Sequence, residues 1–515
     1  MGTARIIAKN TFFNFITNAA DIVINLGAGI VLARSLGPDH YGVYTFLTWA
    51  LTLGAVVTNL GLGSMVTRFI AESLGQGKTD ETKGLIRFSL SLRFIAALIV
   101  AAVLLIISIF GGHLLGDHAN RTYFALLAFA LVPNVLNFLL TSIFAGFQRY
   151  DYGAYMMLGS NPLRAIAIVS LAILGFGIGP LMIANVISWV VGSLIGFFLL
   201  RRLVPLKALI SSAPLSAATR TKALRYAIPT TAIVVVSYLL WNQAEVLFLG
   251  LWCSARDVGF YRLACQLPLM VMNLVPVVFS GVLLPTLSEK FGAGDMNKIR
   301  SIYLTSARYL MIMAFPLAAA GIALARPIAN TLWGADYAQT IVLMQIVFIP
   351  YSFFAIGGAG SAVIYALNKP YFDLKVQLFL AATLVGLDLW LIPRYGVLGA
   401  AIGSSIPRLF LLPAYAIFVS RKIQAAWPIT DMIKIALASS LMGLALFGLQ
   451  ARLGTLPSLA LSIPLGLAIF GGALFALRII RQQDLQMFVR VQYLVPSAVR
   501  KMYISLLDIA MKASR

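Results

Sequence analysis

Residues 94–110 read FIAALIVAAVLLIISIF. No residue in this run is charged, and the apolar positions follow one another without the alternation that a β-barrel strand requires. A helix needs about 20 predominantly apolar residues to cross the hydrocarbon core. The run, extended back to residue 88, therefore reads as a membrane-spanning helix. Working outward, comparable runs fall near 11–33, 41–66, 122–144, 154–175, 178–200, 227–250, 259–285, 303–325, 339–366, 372–392, 396–419, 432–450 and 457–478. Together they predict an all-α, polytopic membrane protein with about fourteen transmembrane helices.

Composition agrees. Of 515 residues, 60% are hydrophobic and only 11% are charged, against about 25% charged in a soluble domain. A surface so poor in charge faces lipid or other helices. The net charge of +22 would suggest nucleic acid in a soluble chain, but here the Lys and Arg sit in short loops between apolar runs. Arg5 and Lys9 precede an apolar run that continues to about Ala33. That is too long for a signal peptide, so it reads as a retained first helix. Cys253 and Cys265 fit no metal spacing, and no disulfide between them is expected.

Loop charge sets the expected orientation. Thirty of the 39 Lys and Arg lie in segments on the side of the termini, and seven lie on the other. Lys and Arg favour the cytoplasmic side, so both termini are expected in the cytoplasm of a cell inner membrane.

The longest polar connection, residues 201–226, divides the chain into an N-terminal lobe (1–200, spans 1–6) and a C-terminal lobe (227–419, spans 7–12). Gly42 and Tyr44 match Gly259 and Tyr261 at a shift of 217 (259 − 42). At the same shift Glu72, Gly75 and Gly77 match Glu289, Gly292 and Gly294, Pro133 matches Pro350, and Gly179 matches Gly396. Six spans per repeat is an even number, so the two share an orientation, as parallel repeats related by an axis along the membrane normal do. Residues 432–478 hold two accessory spans, and 479–515 read as an amphipathic cytoplasmic tail lying on the leaflet. Two repeated bundles predict a cleft between them that opens to each side in turn. The pairs Gly192/Gly196 and Gly399/Gly403 are expected to let helices pack closely.

Charges inside spans carry the most information, because each should face a wet cavity or a partner. Arg164 and Arg408 sit near the centres of spans 5 and 12, with Asn161 one turn before Arg164. They suit an anionic group, Arg being matched to phosphate geometry. The competing reading is a structural salt bridge to Asp21 or Glu245. Asp21 shares a helical face with Asn18 and Asn25, and Glu245 follows Asn242 and Gln243. A carboxylate beside amides can hold Na⁺ or exchange a proton, and a plain helix–helix polar contact is the alternative for each. Asp388, close to the outer end of span 11, is expected to reach the headgroups. The three histidines show no metal-ligand spacing and no P-loop is present, so no cofactor, metal or ATP hydrolysis is expected.

The segment from Ala33 to Tyr44, ARSLGPDHYGVY, resembles the start of the Wzx-type polysaccharide and O-antigen flippases. These belong to the multidrug/oligosaccharidyl-lipid/polysaccharide exporter superfamily. The resemblance continues through Asn59-Leu60-Gly61-Leu62, Arg68 and Glu72, then Asp257 to Tyr261, then Leu332 to Tyr337. It implies a non-enzymatic flippase that moves an undecaprenyl-pyrophosphate-linked oligosaccharide repeat unit from the cytoplasmic to the periplasmic leaflet. Its implied partners are the lipid-linked oligosaccharide, the bilayer, and a polymerase and glycosyltransferases of the same pathway, with no nucleic acid. Arg164 and Arg408 then become candidates for the pyrophosphate or an acidic sugar. Glu245 stands where the family carries an acidic residue late in span 7, as Glu where Asp is usual. A multidrug/cation antiporter of the same superfamily would line its site with carboxylates, and internal Arg argues against it. The arginine-rich first helix of the lipid II flippases is not matched. A membrane-embedded polymerase or ligase would need a sizeable outer loop, and the spans leave none.

Overall fold

The computed structural model describes residues 3–110, 121–205, 207, 209, 215–241, 244–280 and 283–480. The tail expected over 479–515 lies outside these residues beyond position 480. No strand occurs among the described residues, and 11 of their helices are long and apolar enough to cross a membrane. The protein is an all-α polytopic membrane protein. Its chain divides into two compact units, Met1–Arg262 with Gln377–Ser404, and Leu263–Val376 with Ser405–Arg515.

The first unit begins with α1 (Thr3–Val57), which holds the first two expected spans. Gly37 breaks it at φ 68, ψ 171. Pro38 follows, and a residue before proline is driven out of the helical region. The second span does not run to 66 as the hydropathy suggests. Leu60 (φ 46) and Gly61 (φ 63) take the left-handed conformation, and a new helix, α2 (Leu62–Gly75), starts there. Asn59 Oδ1 accepts from the Gly63 N–H at 3.3 Å, serving one of the amides a helix start leaves open.

The amphipathic α2 buries Leu62, Met65, Val66, Phe69 and Ile70, the spacing of one helix face. That face packs in one core with Leu139, Leu140, Ile143 and Phe144. Then come α3 (Thr79–Phe110), α4 (Arg121–Gly146), α5 (Tyr150–Ile173), α6 (Ile178–Leu203), α7 (Ala217–Trp241), α8 (Glu245–Trp252) and α9 (Ala255–Ser280), which belongs to the second unit from Leu263 on. Two close helix approaches depend on glycine. A Cβ on Gly42 would lie 1.7 Å from the Ala255 carbonyl oxygen, and one on Gly259 would lie 2.9 Å from that of Pro38. The two glycines that mark the repeat thus form one contact. Gly192 and Gly196 do admit neighbours, namely Asn137, and Leu140 with Met156.

The second unit holds α10 (Leu283–Gly292), α11 (Met296–Ala323), α12 (Ala325–Leu332), α13 (Gln339–Ala366), α15 (Ile429–Arg452) and α16 (Thr455–Ala476). Between α13 and α15 runs α14 (Pro370–Ile423), whose Gln377–Ser404 stretch belongs to the first unit and which leaves helical geometry at Gly396 (φ 54, ψ −133). Gly321 of α11 leaves room for the Phe348 ring of α13. Arg300 donates Nε and Nη2 to the Ile423 carbonyl at 3.1 and 2.9 Å, a cation on the last turn of a helix. Tyr365 and Tyr415 both donate to the buried Asp373 carboxylate.

The repeat is visible in the backbone. Gly77 and Gly294 both have φ 72, and the helices that follow start at Thr79 and Met296, again 217 positions apart.

Candidate functional site

In the first unit the structure joins two of the candidates. Arg164, half-buried on α5, donates from Nη2 to Asn25 Oδ1 on α1 at 2.7 Å. Asn161, also half-buried, lies one turn earlier on the same helix. Among the described residues no carboxylate pairs with Arg164. A neutral amide orients the guanidinium without cancelling its charge, so the group can still take an anion. The side chains of Asn18 and Asp21 are outside the described set, as are Asn242 and Gln243 altogether. Glu245 is the first residue of α8 and is wholly buried.

In the second unit Arg408 is 2% exposed. Its guanidinium lies 5.1 Å from the centroid of the Tyr351 ring, within the range of a cation–π contact. Asp388, expected at the headgroups, is instead wholly buried in the first unit. A Cβ on Gly403 would lie 2.7 Å from its Oδ1, so the small-residue pair Gly399/Gly403 makes room for this carboxylate as well as for backbone. A position near a span end did not dictate exposure, because the hairpin at Gly396 folds the next helix over it.

Among the described residues, two buried intramembrane cations are absent from the sequence candidates. Arg308 of α11 is 3% exposed and donates from Nη1 to the Ile479 carbonyl at 3.2 Å. Arg93 of α3 is 2% exposed and donates from Nη1 to Asn59 Oδ1 at 2.9 Å. A charge at mid-bilayer costs about 2.5–3.5 kcal/mol on insertion scales, and one neutral acceptor offsets only part of that. The signal was available: Arg93 lies inside the 88–110 run. Its place near a basic loop made it read as part of that loop. A cavity of about 560 Å³ opens beside it, lined by α1 to α4. At its edge Arg68 stacks over Tyr226 at 4.8 Å. Beyond the spans, Lys222 Nζ donates to Glu72 Oε1 at 2.6 Å. That hydrogen bond, more than any other influence, holds the Glu72 carboxyl below its ordinary value. Arg149, between α4 and α5, binds Asp151 through Nε and Nη2, both at 2.9 Å, which raises its own pKa.

A different kind of surface lies in the second unit. Pro316, Leu317 and Ala320 of α11, Met442 and Leu446 of α15, and Ile463, Leu467 and Phe470 of α16 line an apolar groove of about 600 Å³. Among the described residues no cluster of His, Cys, Asp and Glu is arranged to hold a metal, and both cysteines are free thiols.

Comparison with known proteins places these features. Residues 7–291 match the family described as "Polysaccharide biosynthesis protein". Stage V sporulation protein B of Bacillus subtilis is 22% identical, over 83% of this chain and 86% of its own. The "Putative O-antigen transporter" of Shigella flexneri is 23% identical, over 78% of this chain and 94% of its own. Among solved structures, the lipid II flippase MurJ in an inward closed conformation superposes with a TM-score of 0.71. That match covers 90% of this chain and 98% of the other at 17% identity, and it speaks to fold alone.

Proposed function

This chain belongs to the polysaccharide biosynthesis protein family, and from that premise we propose that it is a flippase for an undecaprenyl-pyrophosphate-linked oligosaccharide. It moves the repeat unit from the cytoplasmic to the periplasmic leaflet of the inner membrane, with both termini in the cytoplasm. Two six-span lobes, 1–200 and 227–419, joined by residues 201–226, alternate access. The spans of 432–478 are accessory, and the whole set is fourteen. The protein supplies a path and performs no covalent chemistry.

The observation that carries the reading is an intramembrane guanidinium that donates to an amide, Arg164 on Asn25, with no carboxylate partner among the described residues, in a chain of this family. A sugar headgroup cannot enter hydrocarbon without leaving its polar groups unsatisfied. A cationic, hydrated path solves that for the headgroup and pyrophosphate, and Arg164, Asn161 and Arg408 are its contacts. The apolar groove of α11, α15 and α16 offers the polyprenyl chain a surface. Glu245 and Asp21, with Asn18, Asn25, Asn242 and Gln243, are the groups through which a Na⁺ or H⁺ gradient couples. A polymerase and glycosyltransferases of the same pathway consume and supply the substrate. An antiporter for cationic drugs, the other reading, is disfavoured by the same two arginines.

The test is deletion with complementation. Null cells accumulate inner-leaflet lipid-linked intermediates and lose surface polysaccharide. The wild-type chain restores export, and the Arg164→Ala/Arg408→Ala double variant does not, despite normal membrane levels. Normal surface polysaccharide in null cells lacking any second exporter contradicts the proposal. Protection of an efflux-deficient host from cationic drugs would favour the antiporter.

A further inference from the structure

The cavity of the first unit has the chemistry of an anion site. Its wall carries two guanidinium groups, Arg68 and Arg93, with Asn59 and the hydroxyl residues Thr52, Ser64, Thr67 and Ser142. Among the described residues no carboxylate lines it. Its volume, about 560 Å³, falls in the range of roughly 300–1,000 Å³ typical of small-ligand sites.

Arg93 is the decisive group. It is 98% buried, by its 2% exposure, and its guanidinium is a planar fork of N–H donors suited to phosphate oxygens. One nitrogen donates to Asn59, while Nε is buried without a hydrogen-bond partner among the described residues. Buried donors are nearly always satisfied, and an exception asks for an explanation such as an ion.

A structural role is the competing account, since Asn59 also caps the start of α2. The second repeat argues against it. At the shift of 217, Arg93 corresponds to Leu310, Asn59 to Pro276, Arg68 to Pro285, Thr67 to Leu284 and Ser142 to Ala359. Leu310 and Ala359 are fully buried there. The equivalent helices α10, α11 and α13 therefore form without any of these polar groups. The scaffold does not require them, and their concentration in one repeat points to a ligand.

Position narrows the ligand. Arg93 lies early in the apolar run of α3, six positions past Arg87, while Lys78 and Lys83 near the helix start pair with Glu81 and Asp80. Phe94, Ile95, Leu98 and Ile99, which follow it, are exposed apolar side chains suited to lipid. Cation above and hydrocarbon below is the layering of a lipid phosphate. We propose that this cavity binds the phosphoryl group of an anionic lipid, with Arg93 as the buried anchor, Arg68 at the mouth, and Asn59 and Ser142 as polar contacts. The lipid is either a resident phospholipid or the diphosphate of a polyprenyl carrier. The phosphoryl site itself does not depend on the flippase reading; its carrier alternative rests on it.

The test uses the full-length chain purified in maltoside detergent. Inorganic pyrophosphate is titrated by calorimetry, and retained lipid is read by native mass spectrometry after extraction from phosphatidylglycerol-containing membranes. The wild type should bind pyrophosphate and melt at a higher temperature in its presence. Arg93→Gln should weaken binding about tenfold or more, the loss of a charged hydrogen-bond pair. Arg93→Lys should recover part of it, and Arg394→Gln, an exposed cation elsewhere, should leave it within about twofold. Retained phosphatidylglycerol that Arg93→Gln loses and pyrophosphate displaces identifies a resident phospholipid. Pyrophosphate binding with no retained phosphatidylglycerol identifies the carrier diphosphate. A wild type that binds neither overturns the proposal, and so does a folded Arg93→Gln protein that binds like the wild type. Because binding is read without translocation, a chain that flips normally and fails here loses only this assignment.

Discussion

At equivalent turns of α3 and α11 the two repeats place Arg93 and Leu310, each almost wholly buried. The surrounding backbone is alike, down to the left-handed glycines at 77 and 294. The shared glutamates differ as well. Glu72 binds Lys222 of α7, 150 positions along the chain, whereas Glu289 binds its neighbour Lys290. Duplication preserved the turns and helix starts, which depend on a few glycines and on apolar faces. It left side-chain chemistry free to diverge, and the first repeat gathered the polar groups of the cavity beside Arg93. The backbone pattern is a statement about folding, and the divergence is a statement about use.

The largest break in that comparison should come from carrying the first repeat's cation into the second. Leu310→Arg buries a guanidinium where the residue equivalent to Asn59 is Pro276, which has no amide side chain to receive it. It should destabilise the protein by about 2.5–3.5 kcal/mol, read as a fall in Tm. The reverse exchange, Arg93→Leu, should be neutral or stabilising, since apolar replacement of a buried charge often is. A large loss of Tm in Arg93→Leu would return Arg93 to a structural role.

A smaller effect is expected where the repeats touch. Gly42→Ala places a methyl into the Ala255 carbonyl, an overpacking that should cost about 1–3 kcal/mol. Gly75→Ala, where nothing lies within 4 Å of the added carbon, should leave Tm nearly unchanged. A Gly42→Ala protein that loses no more Tm than Gly75→Ala would mean that close approach does not limit this contact.

The smallest effect concerns the paired glutamates. The Glu72 carboxyl is held below its ordinary value of 4.5, first by the Lys222 hydrogen bond. A depressed carboxyl contributes stability above its unfolded value and loses it as pH falls through the folded one. The Tm advantage of wild type over Glu72→Gln should therefore be present above about pH 4.5 and vanish below. Exposure and salt keep it slight. Glu289 is likewise depressed by Lys290, but that pair joins no separate element. Glu289→Gln should show no loss of α7 anchoring, measured by proteolysis between α6 and α7.

Much of the fold was legible because lipid demands continuous apolar runs and tolerates few breaks. The corner at Gly37-Pro38 and the hairpin at Gly396 coincide with the ends of expected spans. The end of span 2 was misplaced because hydropathy cannot see backbone handedness. Leu62, Met65 and Val66 are apolar whether or not Leu60 and Gly61 have turned left. Of the candidate site, Arg164 and Asn25 do meet, a contact that spacing alone could not supply. Asp388 was misread because its burial depends on Gly403, fifteen positions later, folding back over it. Arg93 was missed because a basic residue near a span end reads as loop charge until the neighbouring helices are seen to enclose it.

The proposed function has this chain carry a lipid-linked glycan across the bilayer, with intramembrane arginines receiving its anion. The most direct measurement places the purified full-length protein in liposomes with a fluorescent polyprenyl-diphosphate oligosaccharide and follows its exposure to an impermeant quencher. Exchange between leaflets should run well above that of protein-free vesicles and fall in Arg164→Ala. Exchange no faster than in empty vesicles, with folded protein and an imposed Na⁺ or H⁺ gradient, would contradict the proposal.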